Sequence, residues 1–145
     1  MRVRPWPAAW SRPYRGRMAR GDAPATSVEE YLDALPPDDA LALRQVRDVL
    51  LELVPDAGQV ISYQVPCVTY RGTALVSLSQ SRNHLSLHVQ DPPLARALAD
   101  EVTEGRWSGA TLHFTAAAPL SRATLERVVQ GRMAAVDARL AARGR

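Results

Sequence analysis

Between Gln59 and Val89 the chain reads QVISYQVPCVTYRGTALVSLSQSRNHLSLHV, and no other segment constrains the fold as strongly. Apolar and polar residues alternate with a period of two over 67–71, 74–80 and 84–89, the pattern of half-buried strands. Arg71-Gly72 and Ser81-Arg82-Asn83 supply the tight polar turns between them. Ahead of these strands, the segment through Tyr63-Gln64-Val65-Pro66 reads as an entry turn, because a proline disfavours helical backbone at the residue before it. A fourth strand is expected from Ala110 to Thr115, after a loop at Trp107-Ser108-Gly109.

Helical periodicity flanks this core. Thr26 with Glu29, or Ser27 with Glu30, forms a capping box, and Val28, Leu32 and Leu35 follow at helical spacing beside Tyr31. Pro36-Pro37 ends that helix, and Pro37 suits the first turn of the next, which carries Leu43, Val46, Leu50 and Leu53. A third helix begins at Pro92-Pro93. The last opens at Pro119 and Ser121 and presents Leu125, Val128, Val129, Met133, Val136 and Leu140. Helices at both ends of a run of antiparallel strands predict an α+β fold, a two-layer sandwich with the helices on one face of the sheet.

The chain of 145 residues is long enough for one domain with its own core. Its single cysteine, Cys67, excludes an internal disulfide and suits a reducing cytoplasm, and no apolar run reaches the length of a membrane span. Every one of the 18 basic residues is arginine, a usage that fits a GC-rich bacterial genome. Six of these arginines lie in residues 1–26 against Asp22 alone, so the basicity belongs to an Arg- and Pro-rich tail expected to be disordered. Met18 is a candidate alternative start. The domain proper, residues 27–143, is mildly acidic, which argues against a folded nucleic-acid platform. Within it, residues 27–56 carry eight acids and two arginines, whereas 117–145 carry six arginines and two acids. Either the acidic and basic helices pair with each other, or the acidic surface stands open to a cation.

Alternation also sorts the faces of the strands. Leu85, Leu87, Val89, Leu112 and Phe114 belong to the helix-covered side. Cys67, His84, His88, Thr111 and His113 belong to the other, expected to face solvent with Ser77, Ser79 and Ser86. These five are the candidate ligand-binding residues of the sheet. His84 and His88, four residues apart on one strand, are separated by roughly 13 Å and cannot share one ion. Either could meet His113 or Cys67 only from directly opposite positions on neighbouring strands, at about 5 Å. Plain surface residues, a partner platform and a transition-metal site all remain open for this set. A nucleophilic role for Cys67 lacks a neighbouring base. No phosphate loop, Cys-x-x-Cys, His-Glu-x-x-His or serine elbow is present, so the chain is expected not to be an enzyme.

The first helix offers the other candidates. Glu29 and Asp33 lie one turn apart, with Glu30 adjacent, and exposed carboxylates suit hard cations. Carboxylates at a helix start equally complement its dipole.

The strand region, its Tyr63 to Pro66 step, and SVEEYLDALPPDDALALRQVRDVLLELVPD before it together resemble a YdhG-like family of small bacterial proteins. That family was long catalogued as a domain of unknown function, and it includes the frataxin-like iron chaperone Fra. The resemblance runs from about Ser27 to Leu140. It implies the two-layer fold and an intracellular iron-binding, iron-delivery function, with iron as the metal and iron-sulfur or haem assembly proteins as partners. A monomer or small homo-oligomer is expected, with no membrane and no nucleic-acid partner. The segments SRNHLSLHV and WSGATLHFTAAAP lack the lysines many relatives have there, and Thr115 stands where a proline is common. The alternative function is a non-enzymatic module that binds a small ligand or a protein on the sheet face.

Overall fold

In the computed structural model, which describes residues 25–144, Ser27 caps the first helix, α1 (Val28–Asp33), its Oγ accepting the Glu30 N–H at 3.1 Å. The Glu30 carboxylate reaches back to the N–H of Thr26 at 2.7 Å and to its hydroxyl at 2.9 Å, which closes the box one residue further out than expected. The expectations for the segment up to Pro24, the Met18 start included, lie outside the described residues. After Pro36 comes α2 (Pro37–Leu53), with proline in its first turn where the missing N–H costs nothing. The remaining helices are α3 (Pro92–Ala99), capped by Asp91, and α4 (Arg122–Arg143), capped by Ser121.

Six strands form one antiparallel sheet: β1 (Gly58–Ser62), β2 (Val65–Tyr70), β3 (Thr73–Gln80), β4 (Leu85–His88), β5 (Arg106–Ser108) and β6 (Thr111–Phe114). Their spatial order is β1-β2-β3-β4-β6-β5. The four expected strands are present. Two more correct the reading of the sequence. The stretch from Gln59 to Pro66 read as an entry turn instead holds most of β1, a two-residue turn at Tyr63-Gln64 closed by Ser62 and Val65, and the start of β2, with which β1 pairs. Both turn residues have positive φ, 53° and 69°. The segment taken as a loop contains β5, paired with β6 from Arg106↔His113 to Ser108↔Thr111.

One face of the sheet presents Val68, Val76, Leu78, Leu85, Leu87, Leu112 and Phe114 to Leu32, Leu43, Val46 and Leu50 of α1 and α2 and to Leu125, Val128, Val129 and Val136 of α4. This is the two-layer α+β architecture, with the apolar alternation of the strands matched to the apolar stripes of the helices.

The β2–β3 pairing slips by one residue between Val68↔Val76 and Thr69↔Ala74, so Leu75 is a bulge. Leu75 and Val76 are consequently both fully buried, although they are consecutive in the chain. A bulge leaves carbonyls outside the ladder, and Arg132 of α4 takes them up: its Nε donates to Leu75 O at 2.8 Å and Nη2 to Ala74 O at 2.9 Å. Asp91 lies 3.6 Å from the same guanidinium.

Pairing between the acidic and basic segments is realised at Glu52 and Arg122, 2.8 Å apart, which link α2 to α4. Most of the acidity of α1 is instead met from within its own segment, by Arg44 and Arg47 of α2. Among the described residues no helix is long and apolar enough to cross a membrane.

Candidate functional site

The strand register arranges the polar face of the sheet into two rows. In one, Ser79, Ser86, His113 and Arg106 stand opposite one another across β3, β4, β6 and β5. In the other, Cys67, Ser77, His88, Thr111 and Ser108 run across β2, β3, β4, β6 and β5. His84 lies just before β4, one step beyond Ser86 on the same side. Antiparallel partners of this kind sit close enough for direct side-chain bonds, and the two rows are stitched together by them.

His88 is the centre of this network. Its Nε2 lies 2.9 Å from Ser79 Oγ, and its Nδ1 lies 3.1 Å from Thr111 Oγ1, so one imidazole spans three strands. Ser86 Oγ lies 2.9 Å from His113 Nδ1, and Ser81 Oγ lies 3.0 Å from His84 Nε2. The His84 and His113 rings meet edge to face, with centroids 4.3 Å apart and planes at 75°. Gln90 Nε2 donates to Ser77 Oγ at 2.7 Å. Hydroxyls both donate and accept, so each neutral imidazole finds a matching partner whichever ring nitrogen carries its proton.

The expectation that this face stands in solvent is corrected by the burial of its middle. Ser79 and Ser86 are 0% exposed and His88 is 2% exposed, and Cys67 and Ser77 are buried with them. A short hydroxyl side chain bonded at 2.9 Å to a larger imidazole is shielded by that ring, which a sequence pattern of alternating polarity does not convey. Accessible surface lies toward the β5 edge, where His84, Thr111 and His113 are half-buried and Arg106 and Ser108 are exposed.

Burial and like charge hold all three histidines neutral. His88 is pushed well below the usual imidazole range by desolvation, with His113 and His84 adding repulsion. His113 is lowered to about 4 by desolvation, by His84 and by Arg106. His84 is lowered by desolvation and then by Arg106.

The structure therefore joins His84 to His113 and sets His88 beside them in the adjacent row. Thr111 is a direct partner of His88. Cys67 does not join them, because β3 and Ser77 separate it from His88. Arg106 was not legible as a member of this group: its strand is three residues long and its place opposite His113 follows from a pairing no local pattern encodes.

The carboxylates of α1 have other occupations. Glu29 accepts from Arg44 at 2.6 Å and from Arg47 at 2.7 Å, and Asp33 also pairs with Arg44. The two arginine bonds hold the Glu29 carboxyl below its usual range, and the backbone N–H of Thr26 does so for Glu30. A cleft beside these residues, about 270 Å³ and lined by Thr26, Ser27, Val28, Glu29, Gln59, Val60 and Ile61, is open to solvent. Among the described residues, no group of three or more His, Cys, Asp or Glu side chains is placed to hold a metal ion.

No family's sequence profile matches the chain, and no curated protein matches it significantly. Among solved structures, it is similar to the crystal structure of YdhG, a protein of the DUF1801 family from Bacillus subtilis. The two share 18% sequence identity and superpose with a TM-score of 0.66 over 72% of this chain and 86% of that one. The likeness establishes that this chain has the fold of the Bacillus subtilis protein, the fold the YdhG-like resemblance implied.

Proposed function

We propose that the protein is a non-enzymatic binding module that takes a small polar ligand on the histidine-bearing face of its sheet, entering from the β5 edge. The observation that carries this reading is the linked set of three neutral imidazoles and four hydroxyl groups gathered from β3, β4 and β6 and the β3–β4 turn. A half-buried surface of this kind offers donors and acceptors at fixed positions, the property that gives a binding site its selectivity. Catalysis receives less support. Ser79 and His88 have the contact of a nucleophile and its base, yet among the described residues the second nitrogen of His88 meets the Thr111 hydroxyl, and Ser79 is closed to substrate.

Iron delivery, the function implied by the resemblance, is the competing proposal. Iron bound at α1 would have to draw Glu29 and Asp33 away from Arg44 and Arg47. Two measurements separate the readings. The first is a thermal-shift screen against polar metabolites grouped by charge. The second is an anaerobic calorimetric titration with ferrous iron, run on the native chain, on His84→Asn/His113→Asn and on Glu29→Gln/Glu30→Gln/Asp33→Asn. Stabilisation by one metabolite class that is lost in the histidine variant and kept in the carboxylate variant supports the sheet site. Saturable iron binding lost only in the carboxylate variant refutes it in favour of iron delivery.

A further inference from the structure

Arg106 is exposed at the edge of the polar face, directly opposite His113. Among the described residues it makes no ion pair and no hydrogen bond, unlike Arg44, Arg47, Arg71, Arg122, Arg127 and Arg132. Beside it stand His113 and His84, in ring contact with each other. Ser86 holds Nδ1 of His113 and Ser81 holds Nε2 of His84. Among the described residues, the opposite nitrogen of each ring has no hydrogen bond, so each ring has one nitrogen anchored and one to offer.

We propose that Arg106, His84 and His113 form an oxyanion site, taking a carboxylate or phosphate-type group carried by the ligand of the polar face. This rests on the reading of that face as a ligand-binding surface and names the chemical class it selects. A guanidinium presents a planar fork of N–H donors matched to the paired oxygens of such groups. The imidazoles supply further donors from one side, oriented by the serines as fixed partners orient a ligating ring. The same arrangement disfavours a cation, because the Arg106 charge repels it at short range.

The charges around the pair make the proposal testable without knowing the ligand. Arg106 on β5 acts on both His84 and His113, His84 acts on His113, and both rings act on His88 of β4; no carboxylate among the described residues pairs with His84 or His113. All of these are cationic when charged, so nothing offsets their repulsion. An anion seated among them reverses that balance and draws protons onto the imidazoles, and by linkage its affinity rises as pH falls.

The experiment follows the histidine Cε1–H resonances of the full chain by NMR from pH 3.5 to 8, in sodium chloride and then in sodium sulfate or sodium acetate at matched ionic strength. In the native chain, sulfate or acetate is expected to raise the His113 midpoint saturably by about 0.5 to 1 unit, a roughly three- to tenfold preference for the protonated site. In Arg106→Gln the chloride midpoints of His84 and His113 rise because the repelling charge is gone, and the response to the anion falls to less than a third. Arg106→Lys keeps the charge but not the fork, and its anion response is intermediate. A response to sulfate alone assigns a phosphate-type group, and a response to acetate alone a carboxylate; either supports the site. Midpoints indifferent to both anions, or an equal response in Arg106→Gln, overturn it. A metabolite held on the face with unchanged affinity in Arg106→Gln also overturns the oxyanion site, while leaving the proposed binding function in place.

Discussion

Replacing Tyr63-Gln64 by Asn-Gly is expected to stabilise the protein. The two residues are the centre of a two-residue hairpin turn closed by Ser62 and Val65, and both have positive φ, 53° and 69°. That is the geometry of a type I′ turn, which favours asparagine followed by glycine. A residue with a Cβ held in the left-handed region costs about 1–2 kcal/mol, so the native pair stores about 2–4 kcal/mol of backbone strain, of which asparagine at the first position relieves only part. Glycine at the second position gives back about 0.5–1 kcal/mol through the larger freedom of the unfolded chain. Tyr63 is 89% exposed and Gln64 is exposed too, so little packing is lost. The net expectation is a gain of about 1–2 kcal/mol and, for a domain of this size, a rise in Tm of roughly 3–8 °C. Urea unfolding and calorimetry at pH 7.5 measure both quantities. Tyr63→Ala, which keeps the strain and removes only an exposed ring, should lie within about 0.5 kcal/mol of the native chain. A double variant less stable than the native chain would refute the argument. So would a Tyr63→Ala loss above about 1 kcal/mol, since either result means that contacts hold the turn.

Three further outcomes follow from the same structure. Because the imidazoles of His84, His88 and His113 have lower pKa values in the folded chain than in the unfolded one, unfolding takes up protons at mildly acid pH. Their contribution is fully present above about pH 6.5 and is lost as pH falls from there toward about 4, the His113 value; a urea midpoint that stays flat between pH 7.5 and 5 contradicts this. Ser79→Ala removes the hydroxyl at Nε2 of the buried His88 and should cost about 1–3 kcal/mol in urea unfolding, with the His88 ring resonances moving most. Arg132→Met leaves two carbonyls at the β3 bulge without their donors and should cost about 2–3 kcal/mol, with Arg132→Lys recovering less than half; a neutral Met variant would show that water replaces the guanidinium there.

The sequence carried the helices and the long strands because each is written in a local period: Leu43, Val46 and Leu50 for α2, Leu85 and Leu87 against Ser86 and His88 for β4. The polar and apolar faces followed from the same alternation. Strand β1 was hidden because its hairpin turn is Tyr-Gln, two residues without a turn signature that adopt positive φ regardless. Strand β5 was hidden by its length, Arg106 to Ser108, and by the positive-φ Gly109 that follows it. The candidate site was legible only as a list. Which histidine meets which is fixed by the pairing of β6 with β4, 23 or more residues apart in the chain, and that register places His113 opposite Ser86 and Thr111 opposite His88. The role of Glu29 was likewise decided outside α1, by two arginines on the next helix.

The bulge at Leu75 bears on how this hairpin can vary. Side chains in a strand alternate, so one added or deleted residue would turn every later residue of β3 over, sending Ser77 and Ser79 inward and Leu78 outward. A bulge is the place where the alternation restarts, and here it lies between the turn at Arg71-Gly72 and the serines that meet His88 and Gln90. Changes of length near that turn can be absorbed before they reach the polar rows. The β2–β3 tip is thus mechanically insulated from the histidine face, and it is the place in this sheet where a lineage could insert or trim residues without scrambling the site.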